Sequence, residues 1–228
     1  MLELEIYIVT ILALLFTVAY AVGSRWNYKI QKKIWKTLSK EMKPYSKEVA
    51  FKGLGSSGFK IGCKPKTGQL TKLEVSISLL SREIPLYYLF SRCKGKYDNI
   101  VVKSNFRTAP NFTLEIIKKG SKLRREILKN PKLKEIQQKK LPENFLVYSS
   151  TQSQAIEFLS DMNVVSKIRK FSEHMERLSI TDKEPHLLLS YTMEETIISH
   201  LLALASLCGK AVEPKSDKKF KAKSKHDK

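Results

Sequence analysis

The chain is poor in the residues that most chemistry needs. Its 228 residues hold three cysteines, Cys63, Cys93 and Cys208, and four histidines, His174, His186, His200 and His226. The cysteines are far apart and odd in number, so they make neither a disulfide framework nor a CxxC metal pair. They read as small thiols in a reducing compartment. No histidine stands in HExxH or in another metal-ligand spacing, and each reads as structural or surface. There is no Walker motif, no GxSxG and no kinase loop set. The glycines of GLGSSG, residues 53–58, are not followed by GKS or GKT, and their strand-like flanks mark a hairpin turn instead of a phosphate loop. The expectation is therefore no enzyme, no cofactor, no metal site and no small-molecule substrate.

Acid is scarce as well. There are 22 Asp and Glu against 42 Lys and Arg, a formal net charge of +20. That excess is more than solubility requires and implies a polyanionic partner: nucleic acid, ribosomal RNA or an anionic lipid surface. Charge alone does not choose among them.

What is present begins with one long apolar run. Ile6 to Gly23 carries no charge, and eighteen residues at about 1.5 Å each span about 27 Å, close to the thickness of the bilayer hydrocarbon. Glu3 and Glu5 precede the run, and Arg25, Lys29, Lys32, Lys33 and Lys36 follow it. The positive-inside rule then predicts an outside N-terminus and a cytoplasmic remainder. Arg25, Trp26, Tyr28, Lys29, Lys32 and Lys33 are expected at the membrane interface. A cleaved signal peptide is the rival reading, since Ala19-Tyr20-Ala21 resembles a cleavage site. The acidic start and the dense positive charge just after it favour a retained anchor. A run apolar on every face also does not suit a core helix. Trp26, Ile30, Ile34, Trp35 and Leu38 continue at helical spacing until Pro44, so residues 1–43 are expected to be anchor and juxtamembrane helix.

Residues 44–213 predict a cytosolic α+β domain. Val49–Lys52 and Phe59–Cys63 read as strands, and Leu73, Val75, Ile77 and Leu79 alternate with polar residues as a half-buried strand does. PLYYLF, residues 85–90, reads as a helical turn packed in the core, with an exposed lipid- or partner-facing surface as the alternative. Ile100–Ser104 and Phe112–Ile117 are expected strands. From Lys118 to Lys140 ten residues are basic and two acidic, with a partial helical stripe of Leu123, Ile127, Leu128 and Leu133 broken by Pro131. Further on come a strand at Phe145–Tyr148, a helix capped by Thr151, a helix from Val164 with Ile168, Phe171 and Met175 on one face, and strands at Leu178–Thr181 and Leu187–Tyr191. A last helix runs from Met193 to Gly209, with Glu194 and Glu195 complementing its dipole. Residues 214–228, with seven lysines in fifteen residues, are expected to be a disordered basic tail.

Five segments in order, LLSREIPLYYLFSRC, NFTLEIIKKGSKLRREI, LPENFLVYSSTQSQAIEFLSD, IRKFSEHMERLSITD and LLLSYTM, with the apolar run before them and the basic tail after, resemble the calumin family. Its members are the coiled-coil-domain-containing subunit of the PAT (protein associated with the translocon) complex. The likeness lies in pattern and order across roughly 130 residues. It implies a chaperone-like factor of membrane-protein biogenesis at the ribosome and Sec translocon, working with other insertion subunits. It also implies a basic tail that reaches rRNA. Only Met1 to Glu5 precede the run, so the acidic luminal region tied to calcium in animal members has no counterpart, and calcium binding does not carry over. The compact form points to a minimal archaeal version, in the cell membrane; a eukaryotic one would lie in the ER membrane. The residues expected on rRNA are Lys118, Lys119, Lys122, Arg124, Arg125 and Lys129 of the basic segment, with Lys215, Lys218, Lys219, Lys221, Lys223 and Lys225 of the tail. An anionic lipid surface is the alternative partner.

Overall fold

The computed structural model describes residues 2–46, 48–66 and 68–213; the expected tail, with its six named lysines, lies outside the described residues. One helix, α1 (Leu2–Met42), opens the chain. At 1.5 Å per residue it is a rod about 60 Å long. Along its first half the large apolar side chains from Leu4 to Val22 are exposed. By length and composition this helix can cross a membrane. At Gly23 the pattern changes. Gly23, Asn27, Gln31, Ile34, Leu38 and Met42 are buried, and their spacing of three or four residues puts them on one face. Met42 ends the helix, its carbonyl accepting the Tyr45 and Ser46 N–H groups beside Pro44, which cannot extend a helical ladder.

The rest is an α+β domain on a nine-stranded antiparallel sheet. The strands are β1 (Ala50–Gly53), β2 (Gly58–Cys63), β3 (Leu70–Ser78), β4 (Asn99–Phe106), β5 (Leu114–Lys118), β6 (Lys134–Glu135), β7 (Phe145–Ser149), β8 (Met175–Ile180) and β9 (Leu187–Thr192), in the spatial order β1-β2-β3-β4-β9-β8-β5-β7-β6. Helices α2 (Pro85–Cys93), α3 (Arg124–Ile127), α4 (Gln152–Phe158), α5 (Met162–Lys170) and α6 (Ile198–Val212) fill the connections. Period-2 alternation sets the faces: Leu73, Val75 and Ile77 of β3 are buried beside Phe59 and Ile61 of β2 and Ile100 and Val102 of β4. Over this face lies α6, touching β4 and β9 and flanked by α1 and α5. The main core sits between them.

The β5–β7 end of the sheet is covered on its other face too. Ile117, Ile127 and Tyr148 form a second small cluster, with Leu133 and Leu146 packed on it. The segment after β5 supplies Ile127 and Leu133, which is why Lys118–Lys140 folds as a cover with one short helix, α3, and one short strand, β6.

Several local expectations are corrected. PLYYLF forms α2, but it is not core: Leu86, Tyr87, Leu89 and Phe90 are exposed, and of this helix only Ser91 is buried. Thr151 stands at the N-cap of α4 without a side-chain cap bond, whereas Asp161 does cap α5 by accepting from the Asn163 N–H. Met175 begins β8 instead of ending a helix. The last helix proper starts at Ile198 after a 3-10 turn, and Glu194 reaches His174 at 2.8 Å, an ion pair when the imidazole is protonated. The residue drawing Glu194 away lies twenty positions upstream, so no local rule could find it.

Candidate functional site

Where the bare half of α1 meets the domain, a polar joint holds it. Gly23 lets the helix press directly on the chain: a Cβ there would fall inside the Arg82 carbonyl and against Glu83. One turn on, Asn27 Nδ2 donates to the Leu80 carbonyl at 3.0 Å and to Glu83 Oε2 at 3.2 Å. Its Oδ1 accepts from Arg82 Nη1 at 2.8 Å. Arg82 also grips Asp98 in a two-pronged pair, 2.6 Å and 3.2 Å. Asp98 in turn accepts the Leu80 N–H at 2.8 Å. After another turn, Gln31 Nε2 donates to the carbonyls of Gly55 and Ser56 at the β1–β2 turn, and Ser56 Oγ donates to Glu83. The Arg82 guanidinium lies over the rings of Trp26 and Tyr88, 5.6 Å and 5.4 Å from their centres. Hydrogen bonds to charged groups contribute about 1.5–3 kcal/mol each when sheltered, so the joint fixes the helix in rotation and in height.

By register, Ser78 of β3, Asn99 of β4, Thr192 of β9, Met175 of β8 and Lys118 of β5 share one end of the sheet. The joint is at this end, and so is α2, which begins two residues after Glu83. The expected interface residues Arg25, Trp26, Tyr28, Lys29, Lys32 and Lys33 are all exposed on α1 within three turns of Gly23.

The expected cations of the basic segment divide. Lys119, Lys122, Arg124, Arg125 and Lys129 are exposed. Lys118 is half-buried, its Nζ donating to the Glu173 carbonyl at 3.0 Å and pairing with Glu176 at 3.3 Å. Tyr148, beneath this cover, donates its hydroxyl to Glu135 at 3.2 Å, and burial raises its phenol above the ordinary range. The structure therefore joins Lys119, Lys122, Arg124, Arg125 and Lys129 on one short cover and ties Lys118 into the scaffold.

Sequence reasoning missed one buried charge. Glu115 on β5 is buried and accepts two bonds from Arg177 of β8, at 2.9 Å and 2.8 Å, and a third from Ser179 at 2.7 Å. The carboxylate raises the Arg177 pKa against the opposing effect of burial. A charged residue inside an apolar strand, LEIIK, was the available signal. Glu115 is satisfied by Arg177 and Ser179 of the neighbouring strand, which makes its place in the sheet structural. Burial also pushes the Cys63 thiol up to about 11 and Cys208 higher still, which makes both poor nucleophiles. His186 is buried and accepts the Phe106 N–H at 3.0 Å through Nδ1. Among the described residues no group of three or more His, Cys, Asp or Glu could hold a metal ion.

Comparisons with known proteins add little to this geometry. No family model matches the sequence, and no curated protein matches it. Among solved structures, the crystal structure of the mycobacterial trehalose monomycolate transport factor A, TtfA, is similar at 10% identity with a TM-score of 0.44, over 81% of this chain and 96% of that one. A likeness that distant carries no argument.

Proposed function

We propose that the protein is a single-pass, membrane-anchored binding factor whose basic domain engages a polyanion on the cytoplasmic side. The partner named by the family resemblance is ribosomal RNA beside the Sec translocon, in the service of multipass membrane-protein insertion. The observation that carries this reading is α1: an unpacked apolar rod that becomes, without a break, a clamped element of a basic domain. A domain held in this way stays near the point where the helix leaves the bilayer, which raises its effective concentration there. The cation density after Gly23 supports a cytoplasmic domain. Lys119, Lys122, Arg125 and Lys129 offer phosphate contacts, with Glu126 the acid among them.

The test is co-sedimentation of the full chain with ribosomes across a salt series. Replacing Lys119, Lys122, Arg125 and Lys129 by Glu is expected to weaken binding at least about tenfold and to flatten the salt slope by about four. Removal of residues after Pro214 tests the tail separately. Binding untouched by both changes rejects the ribosome reading. A second reading, attachment to anionic lipid headgroups, is favoured by Arg25, Lys29 and Lys32, which stand exposed just past the apolar run. Cations so placed contribute about 1 kcal/mol each at an anionic surface. Vesicle binding with ribosomes as competitors separates the two.

A further inference from the structure

The helix α2 has no reason in the domain for its composition. Leu86, Leu89 and Phe90 are 71%, 59% and 58% exposed, and Ile84, Tyr87 and Tyr97 beside them are exposed as well. Only Tyr88 and Ser91 turn toward the protein. A contiguous apolar surface on so short an element marks an interaction site. Three cations frame it, each on an aromatic ring of the same patch: Arg92 lies 4.8 Å from the Tyr97 ring centre, Lys94 4.0 Å from Phe90 and Lys96 6.0 Å from Tyr87. Apolar residues flanked by aromatic rings and lysines are the composition of a helix that lies in a lipid–water interface.

Position chooses the occupant. The chain entering α2 is the one that meets Gly23, the last residue of the apolar run, through Arg82 and Glu83. The exposed apolar helix is thus continuous with the end of the exposed apolar rod. We infer that α2 is a second membrane contact, seated in the headgroup layer of the bilayer that α1 spans, with Leu86, Leu89 and Phe90 inserted and Arg92, Lys94 and Lys96 on lipid phosphates. The inference rests on the spanning role of α1. It adds a consequence: with α1 crossing and α2 lying in the interface, the domain is held at two places and cannot swing freely about the rod.

Cys93, the last residue of α2, is exposed, whereas Cys63 and Cys208 are buried, so a thiol-reactive fluorophore reads α2 directly. The full chain is placed in vesicles of phosphatidylcholine with about 30% phosphatidylglycerol. A Cys93→Ser, Asp182→Cys chain, labelled at the exposed turn beyond the opposite end of the sheet, serves as reference. Quenching by headgroup spin labels is expected to be at least about threefold stronger at position 93 than at 182, with iodide quenching weaker in the same ratio. Leu86→Gln, Leu89→Gln and Phe90→Gln together, all at exposed positions, should bring position 93 to the reference value. Lys94→Glu with Lys96→Glu should weaken lipid quenching, and more in the anionic vesicles than in neutral ones, whose phosphatidylcholine also carries phosphate; no loss in either overturns the phosphate contact. A Cys93 label open to iodide, or shielded from iodide and lipid alike by a protein partner, overturns the inference. Carbonate extraction keeps the two readings apart. Retention with an iodide-accessible label rejects α2 alone, and release of the chain rejects the spanning role and α2 with it.

Discussion

The two halves of α1 are one helix in two surroundings. From Leu4 to Val22 the large apolar side chains point outward and are exposed on every face. From Gly23 to Met42 one face is buried, and its members change along the way: Gly23, Asn27 and Gln31 come first, then Ile34, Leu38 and Met42. The residues nearest the bare half are therefore a glycine and two amides, the reverse of ordinary core practice. Physics gives a reason. Under the proposed spanning role, apolar side chains beside lipid gain little by leaving hydrocarbon for protein, so an apolar seam there would not fix where the domain begins. Amides that find Leu80, Gly55 and Ser56 carbonyls are satisfied at one height and one rotation only. Farther on, where water is the alternative, apolar burial resumes its usual role.

The largest test of this contrast sets Leu38→Ala against Leu12→Ala. The same change at a fully buried and a bare position should differ sharply. Leu38→Ala is expected to cost about 2–5 kcal/mol of domain stability, a fall of several degrees in thermal unfolding of the detergent-solubilised chain. Leu12→Ala should leave that transition where it was. Equal shifts in both would mean that the two halves share one environment, and the comparison would fail.

A smaller effect is expected at the joint. Asn27→Leu removes the amide from Leu80, Glu83 and Arg82 and leaves their groups partly unsatisfied, at about 1–3 kcal/mol. The domain should still fold, since its main core does not depend on Asn27. What should change is the coupling: amide hydrogen exchange at residues 80–83 should rise, and exchange in β4 should not. Protection of 80–83 unchanged from wild type would show that shape alone holds the rod.

Much of this contrast was legible in the sequence, and its decisive part was not. The uncharged run, the alternation of Leu73, Val75 and Ile77, and the GLGSSG hairpin are local patterns, and each follows from a period or a turn rule. Asn27 and Gln31 sit among lysines and look solvated; only a chain more than twenty residues away makes them buried. Glu115 needs Arg177, 62 residues on, before its burial makes sense. The misplacement of PLYYLF in the core has the same root. Apolar composition reports that a segment avoids water, not what it enters instead, and α2 is exposed although its residue types are those of a core. For Lys119 and Lys122 the sequence supplied charge and could not say that Lys118, beside them, is spent on Glu176.

The smallest expected effect probes the far end of the domain half of α1, where Glu41 faces α6. His200 on α6 stacks on Phe171 at 4.5 Å. Its pKa is lowered from the ordinary value first by burial and then by Lys167 and Lys170 of α5, while Glu41 pulls the other way. The unfolded chain takes up this proton below about pH 6.5, whereas the folded chain resists it until a lower pH. Stability contributed by the neutral imidazole is therefore whole above that value and declines as pH falls between the unfolded and folded pKa values. His200→Gln should flatten this part of the stability–pH curve. Glu41→Gln should steepen it, because the charge that eases protonation is gone. Glu5→Gln, at the other end of the same helix, should do neither. If Glu41→Gln left the slope unchanged, Glu41 would not act on His200, and the electrostatic link between the far end of α1 and α6 would fail.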